Sequence, residues 1–179
     1  MEALDLLKQE HDVIERVLDL LQQTVARIET GQSVPEGFGS WSVQFFRQFA
    51  DRCHHGKEED ILFPLLEQRG IPRDGGPIGV MLNEHVIGRD CVGRMDQAAG
   101  ESPPDNKAFA AAANEYIPML RQHIFKENNV LFQMARQCMS DQDAAETMEK
   151  FRSVEEEKGG QEFHKQYEAE VAKWEEAFG

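Results

Sequence analysis

The sequence predicts an all-α protein: an up-and-down antiparallel four-helix bundle with a C-terminal helical extension. Two observations carry this. Apolar residues recur at helical spacing, and strand alternation is hard to find. Breaks rich in Gly and Pro recur every 25 to 35 residues, too often for one long coiled coil, and leave four amphipathic segments with short to moderate connections. A chain of 179 residues is also long enough for one domain with a substantial core.

Residues 3–30 set Leu7, Ile14, Leu18, Leu21, Val25 and Ile28 on one stripe, which Gly31 ends. Residues 32–39 are a loop by composition. A second helical pattern runs from about Ser40 to Gln68, and Pro64 should kink or tighten its last turn. Gly70, Pro72, Gly75, Gly76 and Pro77 mark a connector before a third helix, roughly 77–99. Pro103-Pro104 makes the next break, and a fourth helix covers about 105–139 with a kink expected at Pro118. Residues 141–179 are highly charged and helix-prone, are interrupted at Gly159-Gly160, and hold a fifth helix. The expected division is a bundle over 1–140 and a charged extension over 141–179.

Charge limits the partners. There are 33 acidic and 19 basic residues, for a net charge of −14. Phosphate recognition needs a basic face, so nucleic acid is not the expected partner, and neither is an anionic membrane. The longest apolar runs, such as Ala108 to Ala113, are too short to span a bilayer. The first residues lack a basic then apolar leader pattern. Cys53, Cys91 and Cys138 form no Cys-x2-Cys pair, and such sparse thiols suit a reducing cytoplasm, each read as buried or idle.

The chain contains an internal repeat. Residues 54–64, HHGKEEDILFP, align with residues 123–133, HIFKENNVLFQ, with five of eleven positions identical at an offset of 69. A Glu-His dipeptide stands upstream of each copy, Glu10-His11 and Glu84-His85. The chain thus reads as two helical hairpins, each with a lone His and then a His-x3-Glu.

All of these residues fall on the expected core stripes. His11 sits between Leu7 and Ile14, and His85 between Met81 and Val92. His54 and Glu58 share a stripe with Ala50, Ile61 and Leu65. His123 and Glu127 share one with Tyr116, Leu120, Val130 and Met134. An i, i+4 spacing puts each His and Glu on one helix face. Two buried carboxylates must protonate, pair or bind metal. Together with four imidazoles, they point to a metal site in the bundle core.

Six ligands exceed the four of a structural zinc, and neither Cys-x2-Cys nor His-Glu-x-x-His occurs. Two transition-metal ions sharing two carboxylates account for the count, with room for a bridging oxo or hydroxo group and an external ligand. Imidazole with carboxylate suits iron or manganese. The Glu-x-x-His pair of ferritin-like di-iron proteins is absent.

The set of Glu-His, HxxKEExxLFP, Glu-His and HxxKENxxLF, over roughly residues 1–140, resembles the hemerythrin-like HHE cation-binding family. The resemblance implies a bundle holding two non-haem irons. His11 and His54 would bind one iron and His85 and His123 the other, with Glu58 and Glu127 bridging. The oxygen-carrying hemerythrins have a second His four residues after the third-helix ligand, where this chain has Arg89, and they end in His-x4-Asp rather than His123-x3-Glu127. The pattern is closer to bacterial proteins with a four-His, two-Glu site, including those that repair iron centres under nitrosative stress, although their N-terminal cysteine-bearing domain is not expected here. With one His fewer, the second iron is expected to be more open, favouring reaction with nitric oxide, peroxide or oxygen over reversible oxygen carriage.

Other residues have blander readings. His55 is expected to face a neighbouring helix or solvent, because it sits about 100° from His54 around an α-helix. The alternative register His55-x3-Glu59 is set aside because Ile124 and Asn128 occupy those places in the second copy. Glu15 reads as a solvated flank and Tyr116 as core. Glu10 and Glu84 read as exposed or as partners of imidazole N–H groups, and Lys57 and Lys126 as local ion balance. His164 and Tyr167 could cap one end of the bundle. Three functions follow: a di-iron protein acting on a small oxidant (oxygen, nitric oxide or peroxide), an iron- or gas-sensing or iron-centre repair module signalling through the extension, or a metal-stapled bundle. Whether the chain forms a homo-oligomer stays open.

Overall fold

The computed structural model describes residues 2–179, and Met1 lies outside the described residues. Six helices occur, with no strand among the described residues. Helix α1 is Glu2–Glu29. Helix α2 spans 38–68 and is not uniform: Phe38–Phe45 and Phe63–Gln68 are α-helical, whereas Phe46–His55 and Glu58–Leu62 are wider π-helical turns. Helix α3 is Pro77–Ala99. Helix α4 spans 106–138, with a π turn at Glu127–Leu131. The extension holds two helices, α5 (Asp141–Glu157) and α6 (Gln161–Phe178), where the sequence suggested one.

Local chemistry sets the ends. Asp105 accepts from the Ala108 N–H to cap α4, and Ser140 and Asp143 cap α5 reciprocally. Gly76 precedes Pro77 because a Cβ there would sit 2.2 Å from the Pro72 carbonyl oxygen. Pro64 falls immediately after a π turn, where the chain is already out of α register and the missing N–H costs little.

Helices α1 to α4 pack in a closed ring: α1 on α2, α2 on α3, α3 on α4 and α4 on α1. The buried apolar residues form two clusters. One contains Val17, Leu21, Phe45, Phe46, Met95 and Ala113; the other contains Leu4, Leu7, Leu62, Phe63, Ile78 and Leu131. Along α1 and α3 the second cluster comes first; along α2 and α4 the order is reversed. That alternation is the up-and-down antiparallel arrangement. Where each helix passes from one cluster to the other, it carries its buried His. The extension adds to both clusters: Phe151 of α5 to one, Val171 and Phe178 of α6 to the other.

The π turns move the stripes. The sequence places Ile61, Leu65, Val130 and Met134 on the core face. In the structure Leu62, Leu66, Leu131 and Ala135 are buried, Ile61, Leu65 and Met134 are only partly so, and Val130 is 48% exposed. An i→i+5 turn holds one more residue than an α turn, so everything after each Glu is displaced by one position.

Candidate metal centre

The six residues singled out in the sequence lie in one buried layer between the two apolar clusters, none more than 1% exposed. Each glutamate stands between histidines of the two hairpins. Glu58 directs Oε1 to His54 Nε2 and Oε2 to His85 Nε2, both at 3.5 Å. Glu127 Oε2 lies 3.2 Å from His11 Nε2 and 3.3 Å from His123 Nε2. His85 Nε2 and His123 Nε2 face each other at 3.2 Å.

The outer nitrogen of each ring is held by an oxygen. Glu10 Oε2 lies 2.8 Å from His54 Nδ1, and Glu84 Oε2 lies 3.0 Å from His123 Nδ1. Asn128 Oδ1 lies 3.0 Å from His11 Nδ1, and Glu59 Oε1 lies 2.6 Å from His85 Nδ1. Glu59 and Asn128 occupy equivalent places in the repeat. Each repeat therefore orients the lone His of the other hairpin, and each Glu-His glutamate orients the His of its own hairpin. Lys57 ion-pairs with Glu10 and Lys126 with Glu84. An acceptor at Nδ1 keeps the proton there and turns the Nε2 lone pair inward, the tautomer a metal ligand needs.

Electrostatics differ across the layer. Burial pushes the His54 imidazole well below its ordinary value, which keeps it neutral. For His85, burial pulls the same way but is outweighed by Glu58 and Glu59, and its value rises to about 9. Burial also opposes the charge on His11, and the facing Glu127 wins, so His11 is raised. Burial works against the Glu127 carboxylate, but His123 and His11 hold it below the usual range.

That arrangement leaves polar atoms unsatisfied. His11 Nε2, His54 Nε2 and both oxygens of Glu58 and of Glu127 are buried with no aligned hydrogen-bond partner. Such groups are costly in a native core. Two sets of donor atoms lie within 4.8 Å of one another, His11, His54, Glu58 and Glu127 in one and His55, Glu58, His85 and His123 in the other. Imidazole nitrogens and carboxylate oxygens in such sets suit transition-metal cations, which would satisfy these orphaned atoms of the layer.

His55 is the residue that sequence reasoning passed over. It is buried and its ring lies flat on His85, with centroids 3.8 Å apart. Adjacent residues of a π turn are rotated less than those of an α turn, so His54 and His55 both reach the interior. The repeat could not reveal this, because Ile124 holds the equivalent place. Arg89 bonds Asp51 through Nε (2.8 Å) and Glu59 through Nη2 (2.7 Å), and those carboxylates hold the Nδ1 atoms of His55 and His85.

Of the other residues weighed, Glu15 faces Arg121 at the surface and is not in the layer. Tyr116 packs edge-on against Phe46, and burial raises its phenol well above the ordinary value. His164 stands 3.2 Å from Glu155 and 3.5 Å from Glu10, against the outer side of the centre, and Tyr167 packs on Phe45, Phe49 and Phe163.

A four-helix bundle with a buried layer of histidines and shared glutamates defines a class of cation-binding bundle protein. The family model of the hemerythrin HHE cation-binding domain matches residues 2–135, and the chain belongs to that family. It is similar to the iron-sulfur cluster repair protein YtfE of Edwardsiella ictaluri (37% identical over 128 residues, 66% of this chain and 56% of that protein). YtfE of Escherichia coli is 34% identical over 124 residues, 65% of this chain and 56% of that protein. An uncharacterized protein of Mycobacterium tuberculosis is 31% identical over 150 residues, 80% of this chain and 58% of that protein. The chain spans less than three fifths of the length of these relatives. No solved structure matches it. No helix among the described residues is long and apolar enough to cross a membrane.

Proposed function

We propose that this protein is a cytoplasmic non-haem di-iron protein that binds or reacts with a small oxidant: oxygen, nitric oxide or peroxide. The observation that carries the reading is the set of orphaned atoms at the centre of the layer, His11 Nε2, His54 Nε2 and the four oxygens of Glu58 and Glu127. Glu58 and Glu127 would bridge the two ions, His11 and His54 would serve one, and His85 and His123 the other. When bound, an iron pair supplies one-electron redox chemistry and a site for an exogenous ligand. Manganese suits the same donors.

The protein's own part is to position, desolvate and manage protons. Glu10, Glu59, Glu84 and Asn128 fix ring orientation through Nδ1. The two apolar clusters exclude bulk water from above and below. A coordinating imidazole must be free of a proton at the binding nitrogen, so cation binding at His11 and His85, whose imidazoles the facing glutamates raise, would be accompanied by proton release.

A second reading is an iron-centre repair or sensing module. The similarity to proteins named as iron-sulfur cluster repair proteins favours it, as does the contact of His164 of α6 with Glu10, the residue that orients His54.

The test is metal content and visible spectrum of protein purified without chelator, with and without azide or nitric oxide. Two irons per chain and ligand-sensitive charge-transfer bands are expected. One zinc per chain, or none, would overturn the di-iron reading. His85→Ala and Glu127→Ala should each lower iron content. Protease sensitivity of residues 141–179 that is identical in apo and loaded protein would count against the sensing reading.

A further inference from the structure

Helix α2 brings two consecutive histidines to the centre, and only His54 has a counterpart in the second copy of the repeat. His55 shares the features of the other four. It is buried, its Nδ1 lies 3.3 Å from a carboxylate oxygen, Asp51 Oδ1, and its ring adjoins the layer, stacked on His85 and edge-on to His123 at 5.7 Å. Asp51 is itself fixed by Arg89. An acceptor at Nδ1 leaves the lone pair on Nε2, as in the other rings. A ring nitrogen of His55 comes within 4.8 Å of donor atoms of Glu58, His85 and His123.

We propose that His55 is a fifth histidine donor, joining His85, His123 and Glu58 at one metal position and making the two positions unequal. The inference rests on the two-metal reading above and deepens it. One position then has three imidazoles and the other two, His11 and His54, with Glu58 and Glu127 shared. The fifth histidine enters from the second helix instead of the third, where Arg89 stands and holds the carboxylates behind His55 and His85. The position expected from the sequence to be the more open is therefore the more filled, and an external ligand goes to the His11–His54 side.

A cavity of about 210 Å³ borders His55, between Phe46, Asp51, Gly88, Arg89 and Tyr116. It provides a way to replace the side chain by a free molecule. The experiment is an anaerobic titration with ferrous ion, followed by Mössbauer spectroscopy of the loaded protein, on wild type, His55→Ala, His55→Gly and His11→Ala. Circular dichroism selects the folded variants, and His55→Asn stands in for any alanine or glycine variant that fails to fold. Wild type should take up two ions with two distinct quadrupole doublets. His55→Ala should weaken one binding step by about 10-fold or more and shift one doublet, His11→Ala should do so to the other, and free imidazole should restore the shifted doublet of His55→Gly. Two binding steps and two doublets that are unchanged in His55→Ala or His55→Asn overturn the proposal and leave the di-iron reading standing. A wild type that takes up fewer than two ions overturns the di-iron reading itself.

Discussion

Glu10 Oε2 lies 2.8 Å from His54 Nδ1, although 44 residues separate them, and Glu10 precedes another metal-ligand candidate, His11. The same relation joins Glu84 to His123. Glu10→Gln and Glu84→Gln keep the shape and remove the charge that fixes each ring. Each is expected to weaken iron binding by about 10–100-fold with little change in fold. Competition against a chelator of known affinity checks this, and undiminished affinity in both variants would refute the orienting role.

The two repeat lysines are expected to differ in their effect on stability. Lys57 is fully buried between Glu10 and Glu155, whereas Lys126 is 35% exposed beside Glu84. Lys57→Met leaves a buried carboxylate without its cation and should cost about 3–5 kcal/mol. Lys126→Met should cost about 1 kcal/mol or less, because water screens the pair. Urea unfolding of the metal-free protein measures both, and equal losses would contradict the burial difference.

The π turn at Glu127–Leu131 makes a register prediction. Leu131→Ala should destabilise by about 2–5 kcal/mol, since Leu131 is 1% exposed. Val130→Ala should fall within about 0.5 kcal/mol of wild type, because Val130 is 48% exposed. An uninterrupted α-helix would reverse the order, so thermal melts of the two variants decide between the registers.

The docking of α6 should weaken in alkali. Burial opposes the charge on His164, but Cys53 and Glu155 outweigh it and raise the imidazole to about 10. A raised value in the folded state gives stabilisation that is full below the ordinary imidazole value of 6.5 and is lost as pH rises through about 10. Wild type should therefore exceed His164→Asn in melting temperature below pH 6.5, and the gap should close by about pH 10. A gap independent of pH across that window would show that the His164 charge does not hold the helix.

The four bundle helices, their breaks and the six residues of the layer are legible in the sequence. Period 3.6 and the Gly and Pro connectors locate the helices, and histidines and glutamates on otherwise apolar stripes are conspicuous because burying them is costly. The breakdown comes after each glutamate. Ile61 and Val130 follow the α period, yet Leu62 and Leu131 are the buried residues. A π turn leaves no compositional mark, since the same residues satisfy an i→i+4 or an i→i+5 ladder.

Local periodicity, then, was enough to determine an all-α bundle with a polar layer at mid-height, because both depend on which residues share a helix face. Tertiary structure decided which acceptor holds which ring, as with Asn128 on His11 and Glu59 on His85 across hairpins. It also decided that His55 turns inward and that the extension seats Phe151 and Val171 in the two cores. Those outcomes depend on contacts between residues far apart in the chain and on a wide turn adopted to aim side chains at one point. No spacing rule along a single helix encodes either.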